Sequence, residues 1–129
     1  MFPAAEFQSL ILGAATSKVQ DRVWRNRFPA DGATLPRVSW QKTNTDHHGT
    51  HDGPSGLGVS EIEVACEALT EAEVEALAGV VNTLDGYRSD GPVYDMTATT
   101  DNDEPEPPQE GAEKGFSRIR LRFKASHAE

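Results

Sequence analysis

The chain has one cysteine, Cys66, so no intrachain disulfide can brace it, and the sequence fits a reducing interior. Basic charge is short as well. Its 12 Lys and Arg stand against 21 Asp and Glu, a formal net charge of −9. That balance disfavours nonspecific attraction to nucleic acid or to an anionic membrane. Long apolar runs are missing. The opening MFPAAEFQSLILGAA lacks the basic start of a signal peptide, and its apolar stretch is too short to span a bilayer. No membrane role is expected, and the expected setting is a cytoplasm or a particle assembled in one. Aromatics make up only 7% of the chain and apolar residues 36%, which in 129 residues supplies one modest core and not two. The expectation is one domain over 1–129, without internal repeats.

What is present is a mixture of helical and strand periodicities. Phe7, Leu10, Ile11 and Ala14 follow the spacing of one apolar helix face, with Pro3 suited to a first turn. Val19 to Trp24 leads into a short extended piece. From Arg37 to about Asn44, Val38 and Trp40 alternate with polar residues, as in a half-buried strand. From about Val59 to Glu67, Ile62, Val64 and Cys66 point one way, and Glu61, Glu63 and Glu67 the other. Thr70 and Glu73 form a capping box, Leu69 and Val74 occupy the staple positions around it, and Val74, Leu77, Ala78, Val81 and Leu84 make the buried stripe of a second helix. Asp85-Gly86 supplies its stop. A weaker strand runs from Pro92 to about Thr99, with Tyr94, Met96 and Ala98 sharing a face. The last runs from about Phe116 to Ala125, where Ile119, Leu121 and Phe123 alternate with Arg118, Arg120, Arg122 and Lys124. The tail Ser126–Glu129 reads as frayed. Two stretches, near 45–58 and 100–114, read as mobile loops: the first is rich in Gly, His, Asp and Pro, the second in acid and Pro.

This order implies an α+β fold: a four-stranded, mainly antiparallel sheet with two helices packed on one face. The strands at 37 and 59 form one hairpin and those at 92 and 116 another. The second helix carries the chain over, right-handed, between the hairpins. If the last strand inserts beside the strand at 59, the arrangement is a split βαβ unit. Charge supports that insertion, because the acidic outer face of one strand would meet the basic outer face of the other.

The residues also carry a resemblance. DGPSGL (Asp52 to Leu57) precedes a strand. LTEAEVEALA (Leu69 to Ala78) opens a helix, LDGYR (Leu84 to Arg88) closes it, and an acidic Pro-bearing stretch precedes an alternating basic strand. DRVW (Asp21 to Trp24) and LPRVSW (Leu35 to Trp40) lie upstream. In order and spacing, from Phe7 to Phe123, this resembles the tail completion (tail terminator, head–tail joining) proteins of long-tailed bacteriophages. The resemblance implies a non-enzymatic virion subunit that assembles as a ring, usually a hexamer. That ring caps the tail tube, and its partners are further copies of itself, the major tail tube protein and the head connector or stopper protein. It implies no catalytic residue, no cofactor and no sequence-specific nucleic-acid binding. A small cytoplasmic protein-binding or regulatory module of the same layout is the alternative.

The expected interface residues are Trp24, Phe28, Asp52, Leu57, Glu61, Glu63, Arg118, Arg120 and Arg122; Trp40 and Tyr87 are further aromatic candidates, since aromatics and Arg anchor interfaces. Arg118, Arg120, Arg122 and Lys124 could face DNA in a ring lumen, or pair with the acidic strand or a neighbouring subunit. His47, His48, His51 and Asp52 are metal-ligand types, but their spacing matches no structural-site signature, so an exposed polar loop is expected there. Cys66 alternates with Ile62 and Val64 and should face the core, where a thiol behaves as a small hydrophobe. The Gly residues of DGPSGLG lack the GK[ST] of a phosphate loop and read as a turn. The acidic stretch 101–113 is either a solvated loop or a segment that orders on a partner ring.

Overall fold

The computed structural model describes residues 2–20, 22–26, 35–50, 53–99 and 117–128; for 45–50 and 53–57 it describes the backbone alone. Helix α1 (Ala4–Val19) is followed by strands β1 (Val23–Arg25), β2 (Arg37–Thr50) and β3 (Gly53–Ala68). Helix α2 (Glu71–Val81) ends in a 3-10 turn (Asn82–Leu84), and strands β4 (Val93–Ala98) and β5 (Ser117–Ala128) complete the order. The sheet runs β1-β2-β3-β5-β4. Pairing is antiparallel throughout except for β1, which lies parallel to β2.

The α+β class, the two helices and the insertion of the last strand beside β3 match the sequence reading. The four-strand count does not. β1 adds a fifth strand and makes the sheet mixed. Its three residues are too few to show a period, and tertiary pairing with Val38–Trp40 makes the strand.

The core is built by the faces the sequence alternation marks. Val38 and Trp40 of β2, Ile62, Val64 and Cys66 of β3, and Ile119, Leu121 and Phe123 of β5 are all buried. Both helices cover that face. α2 buries Val74, Leu77, Ala78 and Val81, with Leu84 following in the 3-10 turn. Thr70 caps it, its Oγ1 accepting the Glu73 N–H at 3.2 Å, a contact that stabilises a helix by about 1 kcal/mol. Gly86 takes φ +86, the left-handed conformation the stop requires. The expected staple is not made: Val74 goes into the core, and Leu69 is left 60% exposed.

On α1 the buried residues are Phe7, Ile11, Ala15 and Val19, while Leu10 and Ala14 are half-buried. The stripe follows i, i+4 steps and drifts from the face read in the sequence. Gln8 ties this helix to the sheet. Its Nε2 donates to Val23 O at 2.9 Å, and its Oε1 accepts from Trp40 Nε1 at 2.7 Å.

Three further boundaries move. The stretch 46–58, read as a loop or hairpin tip, continues the β2–β3 pairing as far as Thr50 opposite Gly53. Pro54 is accommodated beside a register shift at His48/Gly49, the kind of site where a strand tolerates proline. The tail does not fray at Ser126: β5 runs to Ala128 and buries His127. In β4 a register shift between Val93 and Asp95 changes the phase of alternation. Val93 and Met96 are therefore the buried residues, and Tyr94 and Ala98 stay half-buried.

The two edges of the sheet differ. Along β4, Gly86 N–H bonds Met96 O at 2.9 Å, Met96 N–H bonds Tyr87 O at 3.1 Å, and Ser89 N–H bonds Tyr94 O at 2.9 Å. The Asp85 carboxylate accepts the Ala98 N–H at 2.9 Å. That edge is closed. At the other edge β1 pairs with Val38–Trp40 only, and from Gln41 to Thr50 β2 has no outer strand partner among the described residues.

Candidate interaction surface

The helices leave the second face of the sheet open, and the register decides what gathers there. Arg37 lies opposite Glu67, and Gln41 opposite Glu63. Across the next pair, Glu61 meets Lys124, Glu63 meets Arg122, Ala65 meets Arg120 and Glu67 meets Arg118. The acidic row of β3 thus lies against the basic row of β5, as the charge pattern predicts.

Glu67, at one end of the acidic row, is fully buried. Arg37 Nε donates to its Oε1 at 2.6 Å, and Arg118 Nε donates to its Oε2 at 2.7 Å. The Arg37 and Arg118 side chains are 9% and 23% exposed. A buried carboxylate costs several kcal/mol in lost hydration unless it is paired and hydrogen-bonded. Here two guanidiniums meet it, one from the strand on each side. A one-residue slip of either neighbour would leave Glu67 facing the wrong row, so the triad pins the register of three strands.

Further along, the pairing loosens. Glu63 lies 3.7 Å from Arg120 Nη1 and 3.4 Å from Arg122 Nε, and the Arg122 side chain is 62% exposed. Such pairs contribute little to stability. An open hollow of about 260 Å³ lies on this face, bordered by Asn26, Glu63, Arg118 and Arg120 and by the short side chains Ser39 and Ala65. Trp24 of β1 pairs with Ser39 and is half-buried, which places it on the same face.

Of the expected interface residues, the sheet therefore brings together Trp24, Glu61, Glu63, Arg118, Arg120 and Arg122. Phe28 and Asp52 lie outside the described residues. Leu57 is placed by its backbone opposite His48 and Ala128. Trp40 is core, 1% exposed, with its ring near those of Phe2 and Phe7. Tyr87 is half-buried against the core. Arg37 was not singled out in the sequence. The signal was its place one residue before Val38, on the outer side of the alternation.

The Cys66 thiol and a Ser–His pair are closed off from solvent. Burial, and then the charge of Glu67, push the Cys66 thiol up to about 12, so it stays protonated at neutral pH. The sequence reading overlooked the Ser–His pair. His127 Nε2 lies 2.6 Å from Ser60 Oγ, and its Nδ1 lies 2.8 Å from Ala128 O. A carbonyl can only accept, so Nδ1 carries a proton, and in the neutral ring Nε2 is left to accept the Ser60 O–H. Ser60 and His127 are 0% and 1% exposed, packed beside the Phe2 and Phe7 rings. The pair satisfies buried polar atoms and gives no substrate access. Period-2 alternation of β5, carried two residues further, would have found His127. Among the described residues no three His, Cys, Asp or Glu cluster as metal ligands. The His47, His48, His51 and Asp52 set lies where side chains are not described. No described helix is long and apolar enough to cross a membrane.

No protein family and no curated protein matches the sequence. The fold does have a solved relative, a chain in the virion of a native gene transfer agent (GTA) particle. It matches over 100% of both chains with a TM-score of 0.66 and 17% sequence identity. At that identity the likeness shows the fold alone.

Proposed function

We propose that this chain is a structural, non-enzymatic virion subunit that forms a ring of identical copies, hexameric by the family resemblance. The ring caps the tail tube of a phage or phage-like particle and joins it to the head connector. One observation carries the reading: the whole chain, end to end, shares its fold with a whole chain of a gene transfer agent virion. The family resemblance of the sequence motifs leads independently to the same kind of particle.

The chemistry of the surface fits assembly better than catalysis. The thiol and the Ser–His pair are sealed, whereas among the described residues an ordered charged face and a strand edge stand open. Open edges and charged faces of this kind are satisfied by neighbouring subunits. The partners are further copies of the chain, the major tail tube protein and the head connector or stopper. The place is the tail–head junction of a particle assembled in a bacterial cytoplasm.

The test is to mix the purified chain with tail tubes and image them by negative stain, then to reconstruct the particle. Six-fold rings at one end of the tube support the reading. Protein that never binds tubes, or density for this chain elsewhere in the particle, refutes it.

A further inference from the structure

Exposed charges of both signs occur on each side of the sheet, Glu61 among them on the open face and Lys18, Arg25 and Lys42 on the helix side, but two patches of one sign stand out. On the open sheet face, Arg122 and Lys124 are exposed on β5. On the opposite side, α2 covers the core and turns outward Glu71, Glu73 and Glu75, all exposed, with no basic residue along the helix. We infer that the basic β5 row of one subunit docks against the acidic outer side of α2 on the next copy. This inference rests on the ring reading above and names the two surfaces that would meet.

Three observations lead there. The two surfaces are opposite in sign, which steers encounter and fixes orientation. They also lie on opposite sides of one subunit. A contact between different surfaces is head-to-tail, and such contacts propagate into a closed ring or a filament, whereas a patch meeting its own copy stops at a dimer. Finally, Arg122, the exposed arginine of that row, is only loosely engaged within its own chain. Glu63 is 3.4 Å from Arg122 Nε, longer than the roughly 2.7–2.9 Å of a close charge-assisted bond. The guanidinium can turn toward a carboxylate on a neighbour without giving up a strong contact.

Nucleic acid is the competing occupant of this row. Glu61 and Glu63 lie directly across from Lys124 and Arg122. Those carboxylates oppose a phosphate backbone and an acidic helix alike, so the experiment includes an arm for duplex DNA.

The experiment uses two full-length double variants. The first reverses the sheet row, Arg122→Glu with Lys124→Glu. The second reverses the helix, Glu71→Lys with Glu75→Lys. Self-association is read by sedimentation velocity at high protein concentration and low ionic strength, with thermal melting as the check on folding. Each variant alone should associate about tenfold more weakly or worse, since it sets like charges against each other. An equimolar mixture should recover the parental level, because alternating copies restore opposite signs at every contact. A neutral pair, Arg122→Gln with Lys124→Gln, adds no acid beside Glu61 and Glu63. It must also weaken association, and this keeps the test decisive if the reversed sheet variant folds poorly.

If the parent associates but both reversals leave it unchanged, or the mixture stays defective, the docking inference is overturned and the ring reading stands. If the parent stays monomeric even with tail tubes, both fall. If the sheet reversal abolishes binding to duplex DNA and leaves self-association untouched, the row belongs to nucleic acid and the inference is wrong.

Discussion

Replacing Glu67 by Gln tests the physical account of the open sheet face most directly. The substitution keeps shape and removes one charge. Its amide NH₂ then faces a guanidinium that had donated to a carboxylate oxygen, and two largely buried cations lose their counter-ion. Breaking a buried ion pair by removing one partner costs about 3–5 kcal/mol. At about 4 °C per kcal/mol for a chain of this length, the melting temperature falls by roughly 12–20 °C. Arg122→Ala is the control on the same face. Its pair is exposed, so the cost is about 0–1 kcal/mol. A triple replacement, Arg37→Met, Glu67→Leu and Arg118→Met, removes all three charges together and should recover most of the loss, because no buried charge is stranded. Urea titrations of the four proteins, followed by circular dichroism, give the comparison. If Glu67→Gln lies within about 1 kcal/mol of the parent, or no further from it than Arg122→Ala, the triad does not hold the sheet as described.

Other perturbations probe the rest of the molecule. The Cys66 thiol is raised from 9.0 to about 12. The unfolded thiol ionises near 9 while the folded one stays protonated. Its contribution is therefore whole below pH 9 and is lost as pH climbs toward 12, at about 1.4 kcal/mol per pH unit. Urea midpoints of the parent and Cys66→Ala, compared from neutral to alkaline pH, should diverge above 9; parallel curves would contradict the assignment. Ser60→Ala strands His127 Nε2 and should cost about 1–3 kcal/mol, with much of that recovered when His127→Phe is added. A double-mutant cycle showing no coupling would mean that the two side chains do not share the bond. Thr70→Ala should cost about 1 kcal/mol through loss of the α2 cap, whereas Leu69→Ser, at an exposed position, should leave stability within about 0.5 kcal/mol; equal losses would argue for the staple after all.

The pairing of β3 with β5 was legible because each strand repeats one charge sign on one face, and only antiparallel neighbours set Glu63 against Arg122 and Glu67 against Arg118. The α2 stripe was equally plain, since its cap, buried residues and glycine stop agree with one another. Three features were hidden for different reasons. β1 was read as a short extended piece, but its membership of the sheet is made by its partner, and Val23–Arg25 alone has no period to read. The distal half of the β2–β3 hairpin has the Gly, His, Asp and Pro content of a loop, yet cross-strand bonding overrides composition. The buried state of Arg37 and Glu67 is invisible to alternation, which marks them only as outward; burial depends on two arginines reaching one carboxylate from flanking strands. For the interaction surface, residue types were readable, but their convergence needed the register. Trp40, an aromatic candidate on type alone, goes to the core because it shares a face with Val38.

The short segment that follows α2 has a bearing on where another chain could extend the sheet. With its backbone groups spent on Tyr94 and Met96, it denies incoming chains a template along β4. Among the described residues the sheet can then be lengthened only along the outer side of β2, from Gln41 to Thr50, which is also the flank on which a neighbouring copy would have to add a strand.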